Sequence, residues 1–147
     1  MYFYQKPEGF DPKFEIVACW LVRPDGRFAL LHRQPWKPEG NTWGVPAGKV
    51  EAGEAPVVAM MRELSEEAGF VTSSRDAIGF ERTLYVRYPN YEFVYHMFRT
   101  DAPDGYETVI NPEEHQGFRW VTPEEALTMP LIPELDSCIR ISFLGGE

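Results

Sequence analysis

An α/β sandwich, a sheet covered by helices, is the fold class this sequence predicts, and three observations predict it. Runs rich in β-branched and aromatic residues occupy both halves of the chain. An amphipathic helical segment separates them, and a second helix-start signal follows the last of them. Length and composition agree, since 147 residues, 44% hydrophobic and 25% charged, suit one soluble domain over residues 1–147.

The first run, Phe14 to Arg23 (FEIVACWLVR), is followed by an Asp25-Gly26 turn, and apolar character resumes from Phe28 to His32. This pattern predicts a β-hairpin. Gln34 to Thr42 holds two prolines, a glycine and an asparagine, so it is read as a loop able to face a substrate. Between Ala55 and Ala68, Val57, Met61, Leu64 and Ala68 recur at helical spacing, with Met60 beside them and Gly69 as the stop. Phe80 to Tyr88 and Tyr91 to Arg99 flank Pro89-Asn90 and predict two further strands. A polar excursion runs from Asp101 to Glu107, and Phe118 to Val121 predicts a last strand. Thr122-Pro123-Glu124-Glu125 combines an N-cap threonine, proline at the first helical position and a glutamate three residues after the cap. A short helix is expected there, interrupted by Pro130 and Pro133, with a terminal helix from Glu134 to Leu144.

Charge and cysteine usage exclude some functions. A formal net charge of -9 repels a long polyphosphate backbone, so no nucleic-acid polymer is expected as a partner. A small phosphorylated ligand is compatible, because divalent cations bridge carboxylates to phosphates. Cys19 and Cys138 lack metal-ligand spacing and suit a reducing compartment. Met1 to Pro12 carries Lys6, Glu8 and Asp11 among aromatics, without the apolar core of a signal peptide. No stretch approaches membrane-spanning length. The expectation is a cytoplasmic protein with no membrane partner.

On the helix, Glu63, Glu66 and Glu67 share one arc beside the apolar stripe, which predicts converging carboxylates. Like charges at such spacings cost an isolated helix roughly 0.2–0.5 kcal/mol per pair, a penalty that a bound cation reverses. Oxygen ligands with no Cys or His nearby select a hard ion, Mg2+ or Mn2+, over zinc.

The segment from Gly48 to Phe70 reads GKVEAGEAPVVAMMRELSEEAGF, with five residues between Gly48 and Glu54, then Arg62-Glu63-Leu64, Glu66-Glu67, Gly69 and Phe70. It resembles the signature of the Nudix hydrolases, with every fixed position filled. Trp43 to Ala47 is similar to the family's approach to this box, except that Ala47 stands where a glycine is common. The resemblance implies a Nudix-like α/β/α sandwich with a mixed central sheet. It also implies Mg2+-dependent hydrolysis of a diphosphate linkage in a nucleoside diphosphate joined to another group, a small-molecule nucleotide-type substrate.

By the same resemblance, Glu63, Glu66, Glu67 and the Gly48 carbonyl are the metal ligands, with Mn2+ an alternative to Mg2+. Glu54 and Arg62 hold loop and helix together, Arg62 pairing with a carboxylate through its planar fork. A base must take a proton from the attacking water, and Glu66, Glu67 and Glu114 are the candidates, with Glu113 competing for the place of Glu114 unless the two are simply a solvated acidic pair. Arg33, at the end of the second strand, suits a substrate phosphate, or else is a solvated strand end. Trp36 in the loop is the stacking candidate. Tyr91, Phe93, Tyr95 and Met97 alternate along a strand and are assigned to the core. His32, His96 and His115 are assigned structural or exposed positions.

Two other readings compete. A catalytically silent module of the same fold would sense a nucleotide or sugar nucleotide, although a sensor need not keep like charges at such spacing. An isoprenoid diphosphate isomerase would need a reactive cysteine, and Cys19 lies within a predicted strand. A homodimer is compatible with the sequence.

Overall fold

The computed structural model describes residues 1–146. Its elements in chain order are β1 (Tyr2–Phe3), β2 (Pro12–Val22), β3 (Phe28–Arg33), β4 (Trp43–Gly44), β5 (Ala47–Lys49), α1 (Pro56–Ala68), a 3-10 turn (Arg75–Ala77), β6 (Gly79–Arg87), β7 (Glu92–Asp101), β8 (His115–Val121), α2 (Pro123–Ala126) and α3 (Leu135–Phe143). The eight-stranded sheet runs β1-β6-β7-β2-β3-β4, with β5 on β2 and β8 on β3. It is mixed. β2 and β7 are parallel from Pro12–Glu92 to Val22–Asp101, while β6–β7, β2–β5 and β3–β8 are antiparallel.

β2 is apolar on both faces because both faces are covered. Val17 and Cys19 pack with Ala59, Met60 and Leu64 of α1 and with Phe98. Ala18, Trp20 and Val22 point the other way, into a cluster holding Leu135, Cys138 and Ile139 of α3. The expected α/β/α sandwich therefore forms around one strand. Met60 and Leu64 are fully buried, and each contributes roughly 1.5–3 kcal/mol to docking α1 on the sheet. Gly69, at φ 66, ends α1, its N–H donating to Ser65 O and that of Phe70 to Leu64 O.

The predicted hairpin forms, but its strands pair only at Val22–Phe28, beside the turn. Beyond that point they diverge. β5 takes the vacated edge of β2, aligning Gly48 with Val17 and Ala47 with Ala18, while β3 pairs with β4 and β8. This divergence sets the segment before α1 against one half of the sheet and the Gln34–Thr42 loop against the other.

Several elements differ from the sequence reading. β1, β4 and β5 are two or three residues long, too short to carry a periodic signal. β8 starts at His115 rather than Phe118, because pairing with Arg33 recruits polar residues into the strand. α2 has only four residues, and its capping box is complete, Thr122 Oγ1 accepting from Glu125 N–H at 3.1 Å and Glu125 Oε1 from Thr122 N–H at 2.8 Å. Among the described residues no helix is long and apolar enough to cross a membrane.

Candidate active site

β5 and α1 meet where Gly48 lies against Glu63. A Cβ added to Gly48 would overlap the Glu63 carboxyl group, so any side chain here has to displace that carboxyl, while the backbone angles make no demand for glycine. Glu63 is buried and accepts from Arg62 Nη1 at 2.6 Å. Arg62 also lays its fork on Glu54, Nε and Nη2 each donating at 2.9 Å, and gives Nη2 to the Lys49 carbonyl at 3.0 Å. One guanidinium thus ties β5, the following turn and α1 together. Its hydrogen bonds hold the Glu54 carboxyl down at about 2, and Glu54 in turn keeps Arg62 protonated. Desolvation raises the Glu63 carboxyl, opposed by Arg62 and reinforced by the charges of Glu66 and Glu114.

Glu67 accepts the Ala47 N–H at 2.8 Å. Desolvation pushes its carboxyl up to about 8, with the charges of Glu63 and Glu114 acting in the same direction against the Ala47 hydrogen bond and Arg33. Ala47, where a glycine is common, therefore contributes through its backbone. Glu66 is exposed and stands 3.5 Å from Arg62 Nη1.

The convergence expected of these carboxylates is corrected by their side-chain directions. They share one helical arc, yet Glu63 and Glu66 turn to Arg62 and Glu67 turns to Ala47. Among the described residues no three His, Cys, Asp or Glu side chains form a ready-made cation cage. The donor set nevertheless fits a hard divalent ion. It is all oxygen, Glu67 has no hydrogen-bonded cationic side chain, and the absent Gly48 side chain leaves Glu63 room. Glu63, Glu66, Glu67 and the Gly48 carbonyl are the oxygen groups that could hold it.

The opposite wall comes from the end of β3, the loop after it and the approach to β8. Arg33 Nε donates to Pro38 O at 2.8 Å, and its charge reaches both Glu67 and His115. Lys37 pairs with Glu114 at 2.5 Å, and Glu114 acts electrostatically on Glu63 and Glu67. Glu113 is exposed, its N–H spent on Asn111 Oδ1, so the geometry brings Glu114 rather than Glu113 toward the helix. Trp36 is 70% exposed at the loop surface. The loop is stitched down rather than free. Asn41 O contacts His32 Nε2 at 3.0 Å, Asn41 Oδ1 accepts from Gln116 Nε2 at 2.9 Å, and His32 stacks on Trp43 at 4.2 Å.

Sequence reasoning missed Lys37, whose only signal was a cation in the loop, and the N–H of Ala47. His115 is buried, its pKa lowered to about 4 by desolvation and by the charge of Arg33. His96 lies between Glu15 Oε1 at 2.7 Å and Thr83 Oγ1 at 2.8 Å. Phe93 and Met97 are buried in the cluster beneath α3, with Tyr91 and Tyr95 packed against it. The cavity beside Phe93 and Tyr95 has room of about 30 Å³, enough for water and too little for a nucleobase. Cys19 and Cys138 are unpaired and buried, and burial raises both thiols, so neither is a reactive nucleophile.

Comparison with known proteins agrees with this geometry. The family model described as the NUDIX domain matches residues 12–140. The CTP pyrophosphohydrolase of Escherichia coli is 32% identical over 120 residues, covering 81% of this chain and 83% of that protein. Among solved structures, the E. coli ORF135 protein aligns with a TM-score of 0.68 at 28% identity, covering 95% of this chain and 94% of that one. A MutT protein from Methanosarcina mazei shares the fold at a TM-score of 0.76 and 20% identity, over 89% of this chain and 93% of that one. With the complete box from Gly48 to Phe70 folded onto β5 and α1, the chain belongs to the NUDIX domain family and is a diphosphate-hydrolysing enzyme of it.

Proposed function

We propose that this chain, acting as a single domain with Mg2+, hydrolyses a diphosphate linkage in a nucleoside triphosphate or related nucleoside diphosphate derivative. The observation that carries this reading is the pairing of two unlike walls. Glu63, Glu66 and Glu67 of α1 supply negative charge for a cation, and Arg33, whose charge reaches Glu67, supplies positive charge for a phosphate. The E. coli relative named for CTP supports a nucleoside triphosphate as the first substrate to try.

In the reaction a water oxygen bonds to phosphorus, the bridging P–O bond breaks with its electron pair on the leaving phosphate, and the water's proton passes to a carboxylate among Glu66, Glu67 and Glu114. A bound divalent cation supplies neutralisation of the phosphate charge and a more acidic water. Arg62 and Glu54 hold α1 against β5 so that Glu63 and Glu67 keep their places. Arg33 orients the phosphate chain through its fork, and Trp36 offers a face to the group beyond it.

The test is a panel of nucleoside triphosphates, sugar nucleotides, dinucleoside polyphosphates and isoprenoid diphosphates with Mg2+. Cleavage at a diphosphate bond, mostly abolished in Glu67→Gln, is the expected outcome. Cleavage of no member by a protein that still binds metal would instead support a nucleotide-sensing module.

A further inference from the structure

The geometry points to Lys37 as a phosphate-binding residue held in reserve by Glu114, the two exchanging partners when cation and substrate arrive. The inference rests on the reading of Glu114 as part of the hydrolytic site. The Lys37–Glu114 pair is 2.5 Å long and spans the loop after β3 and the turn before β8. Both side chains keep solvent contact, 29% for Lys37 and 37% for Glu114. Such a partly exposed pair is weakly held and readily exchanged.

The backbones around the pair are, by contrast, tied together. Gln34 N–H donates to Glu114 O at 3.1 Å, Gln34 Nε2 to Pro112 O at 2.8 Å, and Arg33 Nε to Pro38 O at 2.8 Å. Any exchange therefore starts from side-chain rotation on a fixed backbone.

Charge supplies the reason for exchange. The Glu114 carboxylate acts on Glu63 and Glu67 at like sign, so it belongs electrostatically to the acidic wall, and Lys37 compensates it from the other side. With a divalent cation held by those glutamates, the Glu114 carboxylate would turn toward it and the Lys37 ammonium would be released. Lys37 follows Arg33 by four residues, in the loop that Arg33 anchors at Pro38, and the charges of both reach His115. Two cations at the start of one loop suit a doubly charged phosphate group. A simple loop-pinning bridge would explain the contact, but not why the acidic partner is the residue coupled to the α1 glutamates.

A double-mutant cycle on the full chain separates the two, with Mn2+ binding followed by loss of the free-ion spin-resonance signal and with inorganic diphosphate as the phosphate probe. Lys37→Gln is expected to tighten Mn2+ binding about two- to fivefold, the range of a released exposed pair. In a Glu114→Gln background the same substitution is expected to leave Mn2+ affinity unchanged. With Mn2+ saturating, Lys37→Gln weakens inorganic diphosphate about tenfold, the loss of one charge-assisted contact, and Lys37→Arg retains most of the affinity. Equal tightening in both backgrounds would mean that Lys37 acts only through space and overturns the exchange. Unchanged diphosphate affinity, or no Mn2+ binding by the parent protein, overturns it as well. Binding is read without turnover, so a protein that cleaves nothing in the substrate panel but keeps this cycle loses the hydrolytic reading alone.

Discussion

Gly48 and Glu63 compete for one volume: the carboxyl group of Glu63 fills the space that any side chain at position 48 would need. The first glycine of the motif and its first helical glutamate are thus one packing unit, formed because β5 pairs with β2 directly beneath α1. Gly48→Ala should displace Glu63 or push β5 off the sheet, at a cost of about 1–3 kcal/mol, typical of overpacking. Thermal unfolding reads the stability loss, and calorimetric titration with Mg2+ should show weaker binding. An unchanged metal affinity would mean that Glu63 is not a ligand.

Glu67 makes the metal-free protein sensitive to pH. Its folded carboxyl titrates near 8, above the usual 4.5. The folded state therefore binds its proton more tightly than the unfolded chain does. The stabilisation is complete below about 4.5 and is lost as pH rises toward 8. Glu67→Gln keeps an acceptor for Ala47 N–H without the charge. Without divalent cations, the variant should be more stable than the parent at pH 8, by about 1–3 kcal/mol for one uncompensated buried group, and nearly equal to it at pH 4.5. Urea denaturation at the two pH values checks this. Added Mg2+ should stabilise the parent and have little effect on the variant.

Arg62 is expected to be a fastener rather than a catalyst. Arg62→Ala releases Glu54, Glu63 and the Lys49 carbonyl together, so unfolding should shift down by several degrees, with activity falling alongside it. Arg62→Lys should rescue little, because an ammonium cannot reproduce the two-pronged contact with Glu54. The Glu54–Arg62 contribution to stability is present above the usual carboxyl range and disappears as pH falls through about 2. A variant as stable as the parent would show that β5 and α1 do not need the clamp.

Arg33 should act on binding. Arg33→Ala is predicted to raise KM for a cleaved nucleotide about tenfold or more with kcat nearly unchanged, the pattern of a lost charge-assisted contact made throughout the reaction. Steady-state kinetics decide it. A fall in stability with KM unchanged would reduce Arg33 to the anchor of Pro38 seen in its hydrogen bond.

The sequence by itself determined the sandwich, the helix carrying the glutamates and the residues of the motif. Each of these is written in local terms: apolar residues at helical spacing from Val57 to Ala68, a glycine stop at Gly69, and a β2 run apolar on both faces. It also carried the α2 capping box, because a cap joins residues three apart. Only the tertiary structure decided which way the carboxylates turn. Glu63 and Glu66 face Arg62 and Glu67 faces Ala47, choices made by hydrogen bonds within a packed site rather than by spacing along a helix. The tertiary structure also paired Glu114, and not Glu113, with Lys37, across a separation of many residues that no local pattern encodes. The short strand β5 belongs with these. Three residues carry no periodic signal, yet the divergence of β3 from β2 leaves backbone that the segment around Ala47 to Lys49 pairs with, and that pairing sets Gly48 beneath Glu63.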